Sequence, residues 1–237
     1  MGRLTIWGVT GIGEVRPGEP LGELIVQACA EPPNGPLVEG DVLVVTQKVV
    51  SKAEGRLVEV DPDDPRSHKR LVEDEAVRIV RRRGDLIITE TRHGFICANS
   101  GVDLSNVERG QAALLPVDSD RSARRIRDVV RARCGVGVGV IVSDTFGRPW
   151  RRGLTDVAIG VAGVAGVLDL RGTPDALGRE MQVTEVAVAD ELASAAELVM
   201  GKSSGIPVAV VRGVDASWLR DAAISELVRP AAEDLFR

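Results

Sequence analysis

A short apolar run near the start of the chain limits the possible folds more than any other feature of the sequence. Residues 41–46 read Asp-Val-Leu-Val-Val-Thr, so four consecutive positions are aliphatic. Successive side chains of a β-strand point to opposite faces of the sheet, so a strand that is apolar at every position has to be covered on both faces. We predict that this run is a central strand with other elements packed on each side of it.

Predicted strands and helices are mixed along the chain, which indicates helices and sheets in one compact unit. Apolar runs between turn residues predict further strands at residues 4–9, 86–89, 113–117 and 207–211. Helical spacing and capping residues predict helices at residues 21–30, 68–83, 118–133 and 184–200, and a C-terminal helix from residue 216. We expect a single unit of mixed sheets and flanking helices, with two interleaved lobes formed by residues 1–85 with 180–237 and by residues 86–179.

The composition argues against several classes of site. The three cysteines (Cys29, Cys97 and Cys134) and the two histidines (His68 and His93) are too few and too scattered for a zinc framework. None of the cysteines belongs to a C-x-x-C pair. Aromatic residues make up 3% of the chain and none is tyrosine, so stacking surfaces for single-stranded nucleic acid are hard to build. The net charge of -5 also argues against a long contact with a phosphate backbone. We therefore expect no nucleic-acid partner, and oxygen ligands for any metal ion.

Nothing in the sequence indicates export or insertion into a membrane. The first residues lack the basic region and apolar stretch of a secretory signal. No uncharged apolar run approaches the ~20 residues that are needed to span a bilayer. We expect a cytoplasmic protein with no membrane partner.

Two glycine-rich segments resemble nucleotide-binding motifs without matching them. Gly135, Gly137 and Gly139 precede a strand with the spacing G-x-G-x-G, whereas the dinucleotide fingerprint requires G-x-G-x-x-G between a strand and a helix. Gly201-Lys202-Ser203 has the end of a P-loop, but the first glycine of that motif would fall on Ala196, and a predicted helix precedes the turn. This second segment is either an ordinary helix end with a glycine cap or a turn whose amides and lysine hold phosphate.

Two aspartates are the best candidates for metal ligands. Asp103 lies in a predicted loop, and Asp144 follows an apolar strand at the position where polar groups line the mouth of an α/β cleft. Mg2+ and Mn2+ prefer one or two carboxylates together with water and phosphate oxygens, and the hydroxyl of Thr145 could reach a second ion. Aspartates in such turns often only cap or bend the chain, so spacing alone leaves both interpretations open.

The sequence alone also leaves open the roles of the candidate basic residues. Lys52 and Gln47 follow the strand of residues 41–46, where a lysine can contact a phosphate as a point charge or simply protect a sheet edge. Arg148, Arg151 and Arg152 could neutralise charge in a transition state or lie in a solvated loop.

Several segments of the sequence form a specific pattern when they are considered together and in order. They span nearly the whole chain and read GEVRPG at residues 13–18, VVTQKVVSKAEGR at 44–56, GVDLSN at 101–106, SDTFGRPWR at 143–151 and TEVAVADE at 184–191. Each segment alone is weak, whereas the ordered set is specific. With these segments the chain resembles the coenzyme F-420 gamma-glutamyl ligase family (coenzyme F-420-0:L-glutamate ligase).

The resemblance implies an enzyme that uses GTP to add L-glutamate to the lactyl carboxylate of coenzyme F-420-0, a deazaflavin precursor. The reaction passes through an acyl phosphate, forms an amide and then, on F-420-1, a gamma-glutamyl bond, and releases GDP and phosphate. Phosphoryl transfer depends mostly on positioning and on charge neutralisation, so no Ser, Cys or His nucleophile is required.

The resemblance also implies roles for particular residues. Asp103, Asp144 and Lys52 would be catalytic, with Asp103 and Asp144 on a first divalent ion and Thr145 on a second. The contacts to GTP would come from Ile12, Gly13, Glu14, Val15, Gln47, Lys52, Asn106, Met200, Gly201, Lys202, Ser203, Ser204, Gly205, Ile206 and Pro207. Members of the family can carry a polar residue that ligates metal at the position of Lys202, and a protonated lysine cannot do so.

Further expectations follow from the same resemblance. The ions would be two Mg2+ or Mn2+ with K+ in addition, and the protein would be a homodimer of bilobal α+β subunits. Some relatives carry a reductase-like C-terminal domain, which we expect to be absent here because the chain stops at Arg237. Two rival interpretations stay open on the residues: a metal-dependent GTP phosphohydrolase that uses the same aspartates, and a non-catalytic nucleotide-binding module.

Overall fold

The computed structural model describes residues 2–64 and 66–235. The strands are β1 (Thr5–Gly8), β2 (Val42–Thr46), β3 (Leu57–Glu59), β4 (Ala76–Arg83), β5 (Leu86–Thr91), β6 (Ile96–Ala98), β7 (Gln111–Ala113), β8 (Gly139–Arg148), β9 (Arg151–Ala162), β10 (Leu168–Asp169), β11 (Glu185–Val186) and β12 (Val208–Arg212). The α-helices are α1 (Leu21–Ala30), α2 (Gln47–Ala53), α3 (Lys69–Glu75), α4 (Ser119–Cys134) and α5 (Val188–Met200). Helices and several mixed sheets occur together, which confirms the α+β class.

The central sheet has the strand order β1-β12-β2-β8-β9. β2 and β8 pair in parallel, with Val42 opposite Gly139 and Thr46 opposite Ser143. The other neighbours in this sheet are antiparallel. Since β2 and β8 come from the two ranges that were predicted as interleaved lobes, this sheet joins both ranges.

The prediction that β2 is covered on both faces is confirmed. Leu43 and Val45 belong to a core that includes buried residues of α1 and α4. Val42 and Val44 belong to a second core that includes the buried face of α5. All four side chains are fully buried, and the alternation between the two cores is the alternation of a β-strand between layers of helix.

The helices whose local signals are strongest occur as predicted. α1 spans the predicted residues, and α4 begins after Asp118, whose side chain accepts a hydrogen bond from Arg121 N at 2.8 Å. Gly135 ends α4 in the left-handed conformation, with φ of 71°. α5 ends at the predicted residue but begins at Val188 rather than Thr184.

The predicted helix over residues 68–83 is wrong beyond Glu75. α3 ends there, and β4 begins at Ala76 and pairs antiparallel with β5 across the turn at Gly84. The β-branched residues of β4 suit a strand, and an ion pair of 2.9 Å between Arg78 and Glu90 links the two strands. The basic residues at the end of this segment therefore lie on a strand and not at a helix C-terminus.

Three other local predictions are also corrected. The C-terminal helix from residue 216 is replaced by single 3-10 turns at Ala216–Trp218, Ile224–Glu226 and Ala231–Glu233. The strand predicted at residues 113–117 is β7, which ends at Ala113. Gln47 and Lys52, which were expected at the edge of the strand of residues 41–46, lie on the helix α2.

The remaining strands form small sheets, β3 with β7, β4 with β5 and β6, and β10 with β11. None of the helices in the described part of the chain has the length and apolar character that a bilayer crossing requires.

Candidate functional site

A cavity of about 1240 Å³ opens at one edge of the central sheet. The carboxyl ends of the parallel strands β2 and β8 lie at this edge, where ligands commonly bind in α/β proteins. β12 runs in the opposite direction, so its amino end lies there as well, and Thr46 N donates to Pro207 O at 2.9 Å. The sheet thus brings together segments that are far apart in the sequence.

Most of the residues proposed from the sequence lie on this cavity. The lining includes Ile12, Gly13, Glu14, Val15, Gln47, Lys52, Asp103, Asn106, Asp144, Thr145, Gly201, Lys202, Ser203, Gly205, Ile206 and Pro207. Met200 and Ser204 are not part of the lining, and the Met200 side chain is fully buried in the second core. The exposed Arg148, Arg151 and Arg152 are also outside it.

The loop after β1 presents its backbone to the cavity because two of its side chains are anchored in the core. Ile12 and Val15 are buried in the core beside α1 and α4. Gly13 lies between them, and no atom comes within 4 Å of the position that a Cβ would take. The backbone around Gly13 can therefore be approached closely by a ligand.

Asp103 is held by backbone pairing and by a lysine that the sequence analysis did not single out. Its backbone forms a two-bond bridge with Ala113, and its carboxylate accepts from Ser105 N at 2.7 Å. Lys48 Nζ lies 2.8 Å from the other carboxylate oxygen. Burial raises the pKa of Asp103, but the hydrogen bonds from Lys48 and Ser105 outweigh it and hold the pKa below its ordinary value.

Lys48 could have been found with the correct secondary structure for residues 47–53. On α2, positions 48 and 52 are one helical turn apart and therefore lie on the same face. Both lysines line the cavity, whereas the sequence alone, with no helix predicted at these residues, gave no reason to pair them.

Asp144 has the opposite electrostatic environment. Burial raises its pKa to about 7, and the charges of Asp103 and Asp156 act in the same direction, whereas a hydrogen bond from Thr145 N and the charge of Lys48 oppose them. None of the ion pairs among the described residues involves Asp144. Its carboxylate is thus a half-buried acceptor without a bound counter-charge.

A β-bulge in β9 places another carboxylate beside the cavity. Val142 pairs with Gly160 and Ser143 pairs with Ala158, which leaves Ile159 without a partner on β8. The extra residue reverses the alternation of β9, so that Val161 and Ala158 both pack in the second core. Asp156 therefore points to the same side of the sheet as Ser143 and Thr145.

Asp156 is 2% exposed and is fully engaged by hydrogen-bond donors. It accepts from Ser143 Oγ at 3.1 Å, from Thr145 Oγ1 at 2.7 Å and from Lys202 Nζ at 2.9 Å. Asp156 could not be singled out from the sequence, because the bulge that orients it depends on pairing with β8 and has no local signature.

Lys202 joins this buried carboxylate to α5. Its ammonium lies 2.9 Å from both Asp156 and Glu197 and donates a hydrogen bond to Thr145 Oγ1. Burial lowers the pKa of Lys202, but the hydrogen bonds with Glu197 and Asp156 outweigh it and raise the pKa above its ordinary value. Lys202 is therefore a protonated donor at neutral pH.

The two predicted metal sites differ in how well the chain fits them. Asp103 and Asp144 supply oxygen ligands of the kind that Mg2+ and Mn2+ prefer, and Asp144 takes part in none of the ion pairs among the described residues. The described residues contain no cluster of three or more His, Cys, Asp or Glu side chains that could hold an ion by themselves, so water and substrate would complete the coordination. At Thr145 the ammonium of Lys202 already contacts the hydroxyl as well as Asp156 and Glu197, so a second divalent ion would have to displace it.

Lys52 and Gln47 differ in their availability to a ligand. The Lys52 side chain is buried and forms an ion pair with the exposed Glu14. Gln47 is also buried, and its amide donates to Ser51 Oγ at 2.6 Å and to Leu114 O at 3.1 Å. Gln47 thus braces α2, while a phosphate could displace Glu14 from Lys52.

The cavity contains no activated thiol among the described residues. Cys97 lines it, but burial, with a further contribution from the charge of Asp144, raises the pKa of Cys97 to about 12. The thiol is therefore protonated at neutral pH and is a poor nucleophile.

Comparison with known proteins agrees with this arrangement. A family described as "F420-0:Gamma-glutamyl ligase" matches residues 11–213. Proteins named "Coenzyme F420:L-glutamate ligase" are similar over nearly their whole length. The one from Methanothermobacter thermautotrophicus is 41% identical over 99% of both chains, and the one from Methanopyrus kandleri is 45% identical over 94% of both. The one from Methanocaldococcus jannaschii is 41% identical over 92% of this chain and 90% of its own.

The match covers each of the segments that line the cavity, from the loop after β1 to the amino end of β12. The chain belongs to the F420-0:gamma-glutamyl ligase family.

Proposed function

We propose that this protein is a GTP-dependent ligase that adds L-glutamate to coenzyme F-420-0 through an acyl phosphate. Family membership supports the ligase activity and the pair of substrates that the relatives' name gives. The main observation that supports the proposal is the set of residues that line the cavity. It combines the half-buried pair Asp103 and Asp144 with two lysines of α2 and with open backbone around Gly13.

The proposed reaction has two balanced steps. An oxygen of the F-420-0 carboxylate attacks the terminal phosphorus of GTP, the bond to the bridging oxygen breaks, and GDP leaves. The glutamate amine then attacks the carbonyl carbon of the acyl phosphate, phosphate leaves, and the amine nitrogen loses its proton. A carboxylate is a poor acyl donor until it is phosphorylated, which explains the use of a nucleotide.

The chain supplies positive charge and backbone donors where the phosphates would lie. Lys52 is buried beside the loop of residues 12–15, and its partner Glu14 is exposed, so that a phosphate can replace the Glu14 carboxylate. Lys48 lies at the carboxylate pair and holds Asp103 in place. These groups orient the nucleotide and neutralise its charge, which is the main requirement of phosphoryl transfer.

A divalent ion held by Asp103 and Asp144 would polarise the transferring phosphoryl group and offset its charge. The remaining expectations stay predictions: a requirement for K+, a homodimer, extension to F-420-1 and a cytoplasmic location. Replacement of K+ by Na+ tests the first of them, and sedimentation of the purified chain tests the second.

Mass spectrometry of the products provides the test of function. The chain is incubated with F-420-0, L-glutamate, GTP and Mn2+, and we expect a product that carries one or more added glutamates, with one GDP and one phosphate formed for each. A heavy-oxygen label in the F-420-0 carboxylate should appear in the released phosphate, as an acyl phosphate requires. Control reactions contain ATP instead of GTP or lack glutamate.

Two outcomes would support the rival interpretations instead. Release of phosphate from GTP at the same rate with and without F-420-0 and glutamate would indicate a phosphohydrolase. Function that is unchanged in Asp103→Asn and Asp144→Asn would indicate a non-catalytic nucleotide-binding module.

A further inference from the structure

We propose that the ammonium of Lys202 occupies the place of a second cation, so that the site of this chain binds one divalent ion. The proposal rests on the function proposed above, because it concerns the same cavity. It contradicts the expectation of two divalent ions that the family resemblance implies.

One lysine already contacts the oxygens that a second ion would need. Lys202 Nζ lies 2.9 Å from Asp156 Oδ1 and 2.9 Å from Glu197 Oε1, and it also donates to Thr145 Oγ1. A divalent ion at this point would have to displace a positive charge and take the same three oxygens. An ammonium with three donors satisfies three such acceptors without a metal.

The carboxylate that Lys202 contacts on β9, Asp156, is buried. At 2% exposure, an ionised carboxylate needs a partner charge, because the transfer of an unpaired charge out of water is costly. Lys202 provides that charge from within the chain. The hydroxyls of Ser143 and Thr145 complete the hydrogen bonding of Asp156.

Lys202 is held in position from both sides. Its backbone carbonyl accepts a hydrogen bond from Asn106 Nδ2 at 3.3 Å, and Glu197 lies in the last turn of α5. Gly201 precedes it with φ of 61°, a left-handed value that lets the chain turn sharply at the end of α5. The ammonium is thus placed by α5 and by the loop that contains Asn106.

The opposite face of β8 does not have this arrangement. Asp144 alternates with Thr145 along the strand and so points to the other side of the sheet, and it lines the cavity together with Asp103. Lys48 contacts Asp103 and leaves Asp144 without an ion pair among the described residues. This pair therefore keeps one carboxylate that is outside the ion pairs of the described residues, whereas Lys202 pairs with both carboxylates on its own side.

Counting bound Mn2+ tests the proposal without reference to turnover. Free Mn2+ is measured by electron paramagnetic resonance during titration of the full-length chain in saturating GDP. We expect one tightly bound Mn2+ per chain in the wild type and two in Lys202→Gln, because the glutamine removes the ammonium and offers an amide oxygen. Lys69→Gln is the matched control, since Lys69 is outside the cavity, and it should bind one.

Two results would overturn the proposal. The first is that the wild-type chain binds two Mn2+, whatever the variant binds. The second is that the Lys202→Gln variant, shown by circular dichroism to be folded, still binds only one Mn2+. Product formation by the wild type is measured on the same preparation, so that failure of the ligase function is distinguished from failure of the ion count.

Discussion

At the scale of single residues, Asp144 illustrates how a site can reduce the stability of the fold that carries it. Its pKa in the folded protein is about 7, whereas an aspartate in an unfolded chain titrates near pH 3.9. The folded state therefore binds this proton more tightly than the unfolded state does. Between about pH 4 and pH 7 the stability contributed by this proton is lost as the pH rises.

We predict that Asp144→Asn stabilises the metal-free protein while it reduces ligase activity. The asparagine cannot ionise, so at pH 8 the free energy of unfolding should rise by roughly 1–3 kcal/mol. Activity should fall roughly 100-fold or more, as when a preorganised electrostatic group is removed. Thermal melts in EDTA from pH 4 to pH 8 provide the measurement, with the difference between the two proteins growing as the pH rises.

Two observations would contradict this prediction. One is a variant that is less stable than the wild type at pH 8 in EDTA. The other is that Mn2+ stabilises the variant as much as it stabilises the wild type. The ion should stabilise the wild type more, because only the wild type has the negative charge of Asp144 for the ion to compensate.

Sequence reasoning located some residues of the site and missed others for a physical reason. Asp103, Asp144 and Lys52 follow apolar runs or lie in polar loops, so their positions could be expected from local patterns alone. Asp156 is aimed by a bulge in β9 that exists only through its pairing with β8. Lys48 shares a helix face with Lys52, and this became visible only when residues 47–53 proved to be helical.

At the scale of elements, α4 and β9 approach each other so closely that glycine is required. A Cβ on Gly160 would lie 2.5 Å from the carbonyl carbon of Ser119, the first residue of α4. Backbone atoms cannot rotate away as a flexible side chain can. The contact therefore fixes the distance between the helix and the strand that carries the bulge.

We predict that Gly160→Ala destabilises the protein by about 1–3 kcal/mol, the usual effect of inserting a methyl group into a well-packed core. For a chain of this size the melting temperature should fall by roughly 2–4 °C per kcal/mol. Gly147→Ala is the matched control, because Gly147 also lies on a strand and the nearest atom to its Cβ position is 4.0 Å away. Equal melting temperatures for the two variants, measured by calorimetry, would contradict the prediction.

The elements that could be predicted are those whose signals are local. α4 carries its own cap at Asp118 and its own stop at Gly135, and β2 is apolar at every position. Residues 76–83 have a charge pattern that suits a helix, but their pairing with β5 makes them a strand, and no local signal shows that partner. The C-terminal segment has helical spacing, yet it folds as short turns that pack Trp218 and Leu227 against the second core.

At the scale of the whole molecule, the cavity connects parts of the chain that lie far apart in sequence. Its lining comes from the loop after β1, from α2, from the segment around Asp103, from β8 and β9, and from the turn after α5. The central sheet joins β2 with β8 and so links the two ranges that were predicted as lobes. A ligand in the cavity therefore contacts both ranges at once.

We predict that GDP with Mn2+ raises the melting temperature of the molecule in a single step. A ligand present at 100 times its Kd stabilises the folded state by about 2.7 kcal/mol, because it binds the folded state alone. For a chain of this size that stabilisation corresponds to a shift of roughly 5–10 °C. Calorimetry should show one transition that moves as a whole, and the shift should be much smaller in Asp144→Asn. Two transitions, of which GDP moves one, would instead mean that the ranges unfold independently and that the cavity belongs to one of them.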